Sequence, residues 1–492
     1  MGKEVIGKLL KTVVQGAFSH NQQRKAEKAQ QKQAVASVRA NVMVNKQSNN
    51  DAIYPMYGLQ RMGGTRVFIE ASNGAGAIQG VDASGEATNT EYLNMAIAMC
   101  EGEIFDLTQI WFNDTIVWQL ATAGGSGVMT QLPSGGWQLT NFESGTKYSN
   151  ANMYIAWYPG TDDQTVDTTL QTSVGSSTWG TNYRLRGISY LAMKLQASEK
   201  FSGQLPTFNA TLRGKKILNV TNLSIGDTLP LVSSYYTSGA DQNPADVLYD
   251  YLISDRYGKG LDRDANGNWV AGTNINLASF QAAKNTSNAA RGGSGYAING
   301  FLQSERQIYD NVSEILEACN GILRFIDGKY EFSIKKKNEA SSFIFNKENV
   351  IGEVSLVLPA KTAKLNKVTG NFNNAAKKWN DDLVIFKSDA FAIEDNGSIL
   401  EAQEDYTLIT SAAIVTDLVT QMVNKSRNRL TISFTASHTA LLLKAGQVVK
   451  VNLDDFGWTA VNMKDFRIQE LKLTDDNTVD VIATTYDSAL EL

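Results

Sequence analysis

Over the first seventeen residues, Ile6, Leu9, Leu10, Val13, Val14 and Ala17 recur at helical spacing, and Lys8 and Lys11 fall outside that set. Such a period places the apolar side chains on one face and predicts an amphipathic helix. The stretch 20–46 is rich in Gln, Ala, Lys and Arg, which suit a helix but bring few large apolar groups. A helix of that composition is marginal alone, so the expectation for 1–50 is an N-terminal helical arm ordered by a partner. Its proposed assembly face is Ile6, Leu9, Leu10, Val13 and Val14. A flexible polar tail and a membrane-surface helix are the alternatives.

The period changes after Tyr54 and Pro55. Gly-rich turns flank a short run from Thr65 to Ile69 whose β-branched and aromatic residues favour a strand. From Tyr92 to Trp118 two apolar stretches surround Gly102, and Asn113 with Asp114 suits a turn between paired strands, although YLNMAIAMC also fits a short helix. The segment 121–181 alternates turns with short apolar runs and predicts a loop-rich insertion carrying a hairpin or two. YRLRGISYLAMKL and FNATLRGKKILNV then predict two strands of a continuing sheet, with RGKK at an exposed basic end.

At NPADVLYDYLI the pattern becomes helical, with Asn243 placed to cap and Pro244 to open the first turn. Residues 276–290 read as helix or ordered loop. Ile308, Val312, Ile315 and Leu316 mark a further helix, followed by a hairpin turning at Asp327 and Gly328. From about Gly352 onward, runs such as LVIFK, LTISFTA and VDVIATTY predict strands, with one helix from Ala412 to Lys425. The expected fold is a mainly β multidomain protein with an α+β insertion and an N-terminal helical arm. Its expected divisions are the arm (1–50), a β-rich region with the insertion (51–230), an α+β domain (231–340) and a mainly β C-terminal region (341–492).

A chain of 492 residues can bury several cores without disulfides. Its two cysteines, Cys100 and Cys319, lie too far apart in sequence for a short-spaced metal motif, and its two histidines, His20 and His438, leave little for a His-based site. A net charge of -5 argues against extended, sequence-specific nucleic-acid binding. The chain lacks an apolar run long enough for a transmembrane helix, and its N-terminus is a poor secretory signal.

Several local patterns resemble chemical sites. Asp262, Asp264, Asn266 and Gly267 have the spacing of a calcium loop, but Thr273 stands where the closing Glu belongs, so an Asn-Gly turn is expected. Arg61–Gly64 and Arg213–Lys216 put positive charge near glycine without completing a phosphate loop. Glu101, Glu103 and Asp106 raise a glycosidase reading, yet nothing in the sequence brackets a sugar cleft. Trp111 with Phe112, and Trp157 with Tyr158, suit either interfaces or sugar faces. No catalytic, cofactor-binding or metal-binding residue is assigned, no cofactor is expected, and the chain is read as a non-enzyme.

IYPMYGLQRMGGTRVFIEAS, EYLNMAIAMCEGEIFDLTQIWFNDTIVW, FNATLRGKKILNV, NPADVLYDYLISDRYGKGL and EILEACNGILRFIDGKYEFSIKK stand in an order that resembles the siphophage tail-tip central hub family, including the hub portion of the phage lambda tip attachment protein. The resemblance covers about 54–337, with weaker support to the C-terminus. It implies a homotrimer at the tail axis of the virion, assembled in the host cytoplasm and organising the exit for genome delivery. Implied partners are the distal tail protein, the C-terminus of the tape-measure protein, the tail tube, other tail-tip proteins and a receptor-binding protein. Arg61, Gly63, Gly64 and Arg66 would shape a hub contact. A receptor- or glycan-binding tip module and a cell-wall hydrolase are the alternative functions.

Overall fold

The structure is a computed structural model of the chain, describing residues 45–47, 52–73, 91–143, 153–196, 205–231, 233–237, 242–358, 363–427 and 430–491. The chain divides into two compact units. The first comprises 1–53, 61–100 and 107–211; the second comprises 54–60, 101–106 and 212–492. Strands dominate both, and the architecture is mainly β and multidomain.

In the first unit a seven-stranded sheet runs in the order Lys46–Gln47, Thr65–Asn73, Glu91–Glu101, Ile188–Gln196, Met153–Tyr158, Trp137–Thr140 and Val128–Gln131. YLNMAIAMC lies in a strand, not a helix, because its residues pair antiparallel with 65–73. Beneath the sheet, Tyr158, Leu170, Trp179 and Tyr190 form a core, with the Tyr158 and Tyr190 rings stacked 4.5 Å apart. Residues 121–181 hold the expected hairpin, Val128–Gln131 against Trp137–Thr140. They also hold a helix that the pattern did not predict, Thr168–Val174, where the Asp167 carboxylate accepts the Leu170 N–H.

A second sheet is ordered Leu59–Met62, Phe208–Lys215, Ile104–Phe112 and Thr115–Gln119. Its last two strands form a hairpin that turns at Asn113, which adopts φ 54°. Ile188–Gln196 and Phe208–Lys215 therefore belong to different sheets, which corrects the expectation of one continuing sheet.

The first α-helix of the second unit is Pro244–Ile253. Asn243 caps it by accepting the Ala245 N–H, as the Asn-Pro pair predicts. Leu277–Ala289 is a helix capped by Asn276, and Ile308–Cys319 buries Val312 and Ile315. The Gly321–Ile326 and Lys329–Ile334 strands pair across the Asp327-Gly328 turn. One core unites these helices with Val368, Phe372, Val415 and Val419. Val368 and Phe372 belong to a three-stranded sheet, ordered Asn380–Lys387, Lys367–Asn374 and Glu401–Tyr406, which packs on the helix Ala412–Arg427 that carries Val415 and Val419. A separate core containing Phe345, Phe434, Val451, Phe466 and Val481 lies within a six-stranded C-terminal sheet.

Candidate functional site

The segment proposed as a hub contact begins on a strand and bends through two glycines. Gly64 has φ +69°, and a Cβ there would lie 2.5 Å from the Ala98 carbonyl oxygen, so both backbone and space require glycine. The turn receives the chain leaving the N-terminal segment. Lys46 N–H donates to Gly64 O at 3.2 Å, the Asn45 amide donates to Gly63 O and, at 2.8 Å, to Phe208 O, and Phe208 N–H donates back to Asn45 Oδ1 at 2.7 Å. Lys46 and Gln47 then pair in parallel with Thr65 and Arg66.

Arg61 lies inside this unit at 1% exposure. Its Nε and Nη2 donate to Asn209 Oδ1 at 3.0 and 2.7 Å, Nη2 also donates to Asn113 O at 2.7 Å, and the guanidinium lies 4.2 Å from the Trp111 ring centre. Asp114, itself exposed, approaches to 3.3 Å. Burial pulls the Arg61 guanidinium below its ordinary value, against the raising effect of Asp114. A guanidinium tolerates such a site because its flat, weakly hydrated fork matches several carbonyl oxygens at once. Gly63 is also buried and Arg66 half-buried, so the turn-binding geometry, rather than a row of free cations, occupies this place. A register shift between Arg66 and Phe68 leaves Val67 and Ile69 facing outward.

The second unit contains a different buried cation. Lys215 Nζ lies 2.9 Å from both Asp250 carboxylate oxygens and 2.5 Å from Tyr257 Oη, while Tyr57 Oη donates to Asp250 at 2.7 Å. Burial alone pulls the Lys215 ammonium down, but Asp250 and Tyr257 outweigh it and hold the group above its ordinary value. Burial, reinforced by Asp250, pushes the Tyr57 hydroxyl up. RGKK is thus no exposed hairpin end. Gly214 lets the backbone lie against Gly58, where a Cβ would come within 2.4 Å of an amide nitrogen, and Lys215 is carried inward.

The other sequence patterns resolve as structural. The Asp262 carboxylate is filled by protein donors: Tyr249 Oη and the N–H groups of Gly272, Asn274 and Ile275 at 2.7–2.9 Å. Asp264 accepts the Asn266 and Asn268 N–H groups in an exposed turn. Glu101 pairs with Arg256 at 2.9 Å, Glu103 with Lys216 at 3.1 Å and Asp106 with Arg213 at 3.9 Å, giving each carboxylate its own cation. Trp111, Phe112, Trp157 and Tyr158 are buried. Both thiols are free and buried, and burial pushes them up, Cys319 to about 12. Among the described residues, no group of three or more His, Cys, Asp or Glu is placed to hold a metal ion. Ile6, Leu9, Leu10, Val13 and Val14 lie outside the described residues.

Sequence reasoning did not single out Asn45, Asn209 or Asp250. A lone amide or carboxylate within an apolar run, as in FNATL or LYDYL, is the available signal, because a polar group kept there must find a buried partner.

No family model matches the chain. Over 88% of its length the chain is 21% identical to the baseplate hub protein pb3 of Escherichia phage T5, and it covers 47% of that protein, so it spans about half the length of this relative. Its fold is similar to that of a chain in the virion of a native gene transfer agent particle, with a TM-score of 0.56 over 92% of this chain and 88% of the other at 14% identity. The 43 kDa tail protein of prophage MuSo2 from Shewanella oneidensis aligns over 89% of this chain and 99% of its own, at 10% identity and a TM-score of 0.31, too loose to establish a shared fold. The sequence likeness is therefore to phage baseplate hub proteins.

Proposed function

We propose that this chain is a structural component of the virion, the central hub of a bacteriophage tail tip. The observation that carries the reading is the extent of the likeness. It runs over 88% of the chain to a baseplate hub protein, and the same architecture recurs over 92% of the chain in a virion component. A likeness of that span concerns a whole body plan rather than a local motif.

In this reading three copies surround the tail axis, join the distal tail protein and the tail tube, contact the C-terminus of the tape-measure protein and carry other tip proteins, a receptor-binding protein among them. Its action is mechanical connection and passage of the genome, without covalent catalysis. The arm face of Ile6, Leu9, Leu10, Val13 and Val14 docks on another tail component. The Arg61–Arg66 segment supports this arrangement indirectly: Arg61 ties its strand to Asn113 and Asn209, the carbonyls of Gly63 and Gly64 accept from Asn45 and Lys46 within the last residues of the arm, and Arg66 is half-buried beside exposed Val67. The glycan-binding alternative loses its proposed platform because Trp111, Trp157 and Tyr158 are buried.

A map of the native tail tip tests the reading. Three copies of this chain around the axis are expected; one or six copies there, or its absence from purified tails, overturns it.

A further inference from the structure

The three-stranded sheet of the second unit ends in a strand whose chemistry matches a second copy of itself. Among the described residues, Asn380–Lys387 has one strand neighbour, Lys367–Asn374, and their register runs unbroken through eight pairs. Among the described residues its other edge is open, and it carries neither proline nor a bulge, two of the usual protections of an exposed edge, its charges Asp381 and Lys387 being of opposite sign. Leu383 and Ile385 are 53% and 54% exposed on the face opposite the helix Ala412–Arg427, flanked by exposed Asp381 and Lys387.

The backbone direction selects one arrangement. Ser388 N–H donates to Asn366 O at 2.9 Å, in register with the strand pair. Amides alternate along a strand, so even-numbered residues turn toward the neighbour and 381, 383, 385 and 387 turn their N–H and C=O to the open edge. An antiparallel partner with the same sequence, centred on Val384, puts Leu383 opposite Ile385 and Asp381 opposite Lys387. These edge-facing residues then form the hydrogen-bonded pairs, and two-fold symmetry makes each pair twice. The apolar residues meet on one face and the charges at its ends are opposite. Sliding by one residue removes the hydrogen-bond match, and sliding by two removes the charge match. Lys387 gains a second acid beside Asp389, its present exposed partner at 2.8 Å, which offsets the like charge of Lys367, its retained cross-strand neighbour.

We propose that free copies of this chain pair edge to edge through Asn380–Lys387, joining two three-stranded sheets into one of six strands. Such a contact is isologous and cannot by itself close a three-copy ring, so it belongs to the chain outside the assembled tip and stands apart from the tail-tip reading.

Sedimentation velocity on the purified full chain over a wide concentration range tests this. A reversible, concentration-dependent dimer is expected. D381K and K387D each place like charges opposite one another and should weaken dimerisation by about tenfold or more, while the D381K/K387D double variant restores it. Circular dichroism checks folding, and if one single variant fails to fold the other decides the charge arm. A wild-type chain that stays monomeric, a trimer, a dimer indifferent to the single reversals, or a double variant that does not recover overturns the proposal.

Discussion

The two units each bury a cation, and they do it by different chemistry. In the first, Arg61 is surrounded mainly by neutral acceptors, Asn209 Oδ1 and Asn113 O, and by the Trp111 face, while its carboxylate partner Asp114 is 79% exposed. In the second, Lys215 shares a largely buried place with Asp250 and the hydroxyls of Tyr257 and Tyr57. A guanidinium spreads its charge over five donors and can be satisfied by carbonyls. An ammonium is a compact charge with a large hydration energy, and it stays charged inside only beside a full negative charge. Removing a partner should therefore matter most at the lysine site, and the exposed carboxylate at the arginine site should matter least.

The largest effect is expected from Lys215→Met, which leaves the Asp250 carboxylate buried and uncompensated at about 3–5 kcal/mol. Thermal melting should show a clear loss, and adding Asp250→Leu should recover part of it, because removing both charges is far less harmful than removing one. Equal losses in the single and double variants would show that the packing of the lysine stem, not the ion pair, dominates.

Arg61→Lys keeps the charge but gives up the fork. Two or more hydrogen bonds to Asn209 and Asn113 go unmade, a loss of about 2–3 kcal/mol in chemical denaturation. A lysine that substitutes without loss would contradict the contrast between the two sites.

Gly64→Ala tests the turn that follows Arg61 in the same segment. The strained φ and the approach to Ala98 O predict a loss of about 1–3 kcal/mol. Hydrogen exchange should show Lys46, which donates to Gly64 O, losing protection before the rest of the sheet.

Asp395 extends the comparison to a pair governed by hydrogen bonding. Arg427 grips both its oxygens and Asn366 donates to one at 2.8 Å. These contacts, the Arg427 hydrogen bond foremost, hold the Asp395 carboxyl down at about 2. A depressed carboxyl contributes stability that is fully present above its unfolded value, about 4, and is lost as the pH falls toward 2. Asp395→Asn should flatten the acid limb of a stability-versus-pH curve in that window; an unchanged limb would refute the assignment.

The smallest effect is expected from Asp114→Asn. Its exposed carboxylate meets Arg61 at 3.3 Å, and screening limits such a pair to about 0.5 kcal/mol. A loss as large as that of Arg61→Lys would mean that the arginine depends on its charge partner after all.

Local chemistry in the sequence determined much of this fold. Asn243-Pro244 marks a helix start because an amide caps free N–H groups and proline gives up none that the helix needs. Asn113-Asp114 and Asp327-Gly328 mark hairpin turns because Asn, Asp and Gly accept positive φ, and Asn113, Asp327 and Gly328 all adopt it. β-Branched and aromatic composition marked the strand at Thr65 and the pattern of apolar positions the helices at Ile308 and Ala412, while YLNMAIAMC stayed open between strand and helix until its pairing with 65–73 decided it. Only the tertiary structure decided where the charged residues went. RMGG and RGKK read alike as basic surface turns, yet Arg61 meets an amide 148 positions away and Lys215 a carboxylate 35 positions away. The helix Thr168–Val174 was missed for a related reason: its short polar sequence carries almost no apolar period, and it is held by the Asp167 cap and by burial of Leu170. Period and turn chemistry act between residues a few positions apart. The partner of a buried charge is chosen by sheet order and by which backbones glycine lets approach, and no local stretch of sequence contains that information.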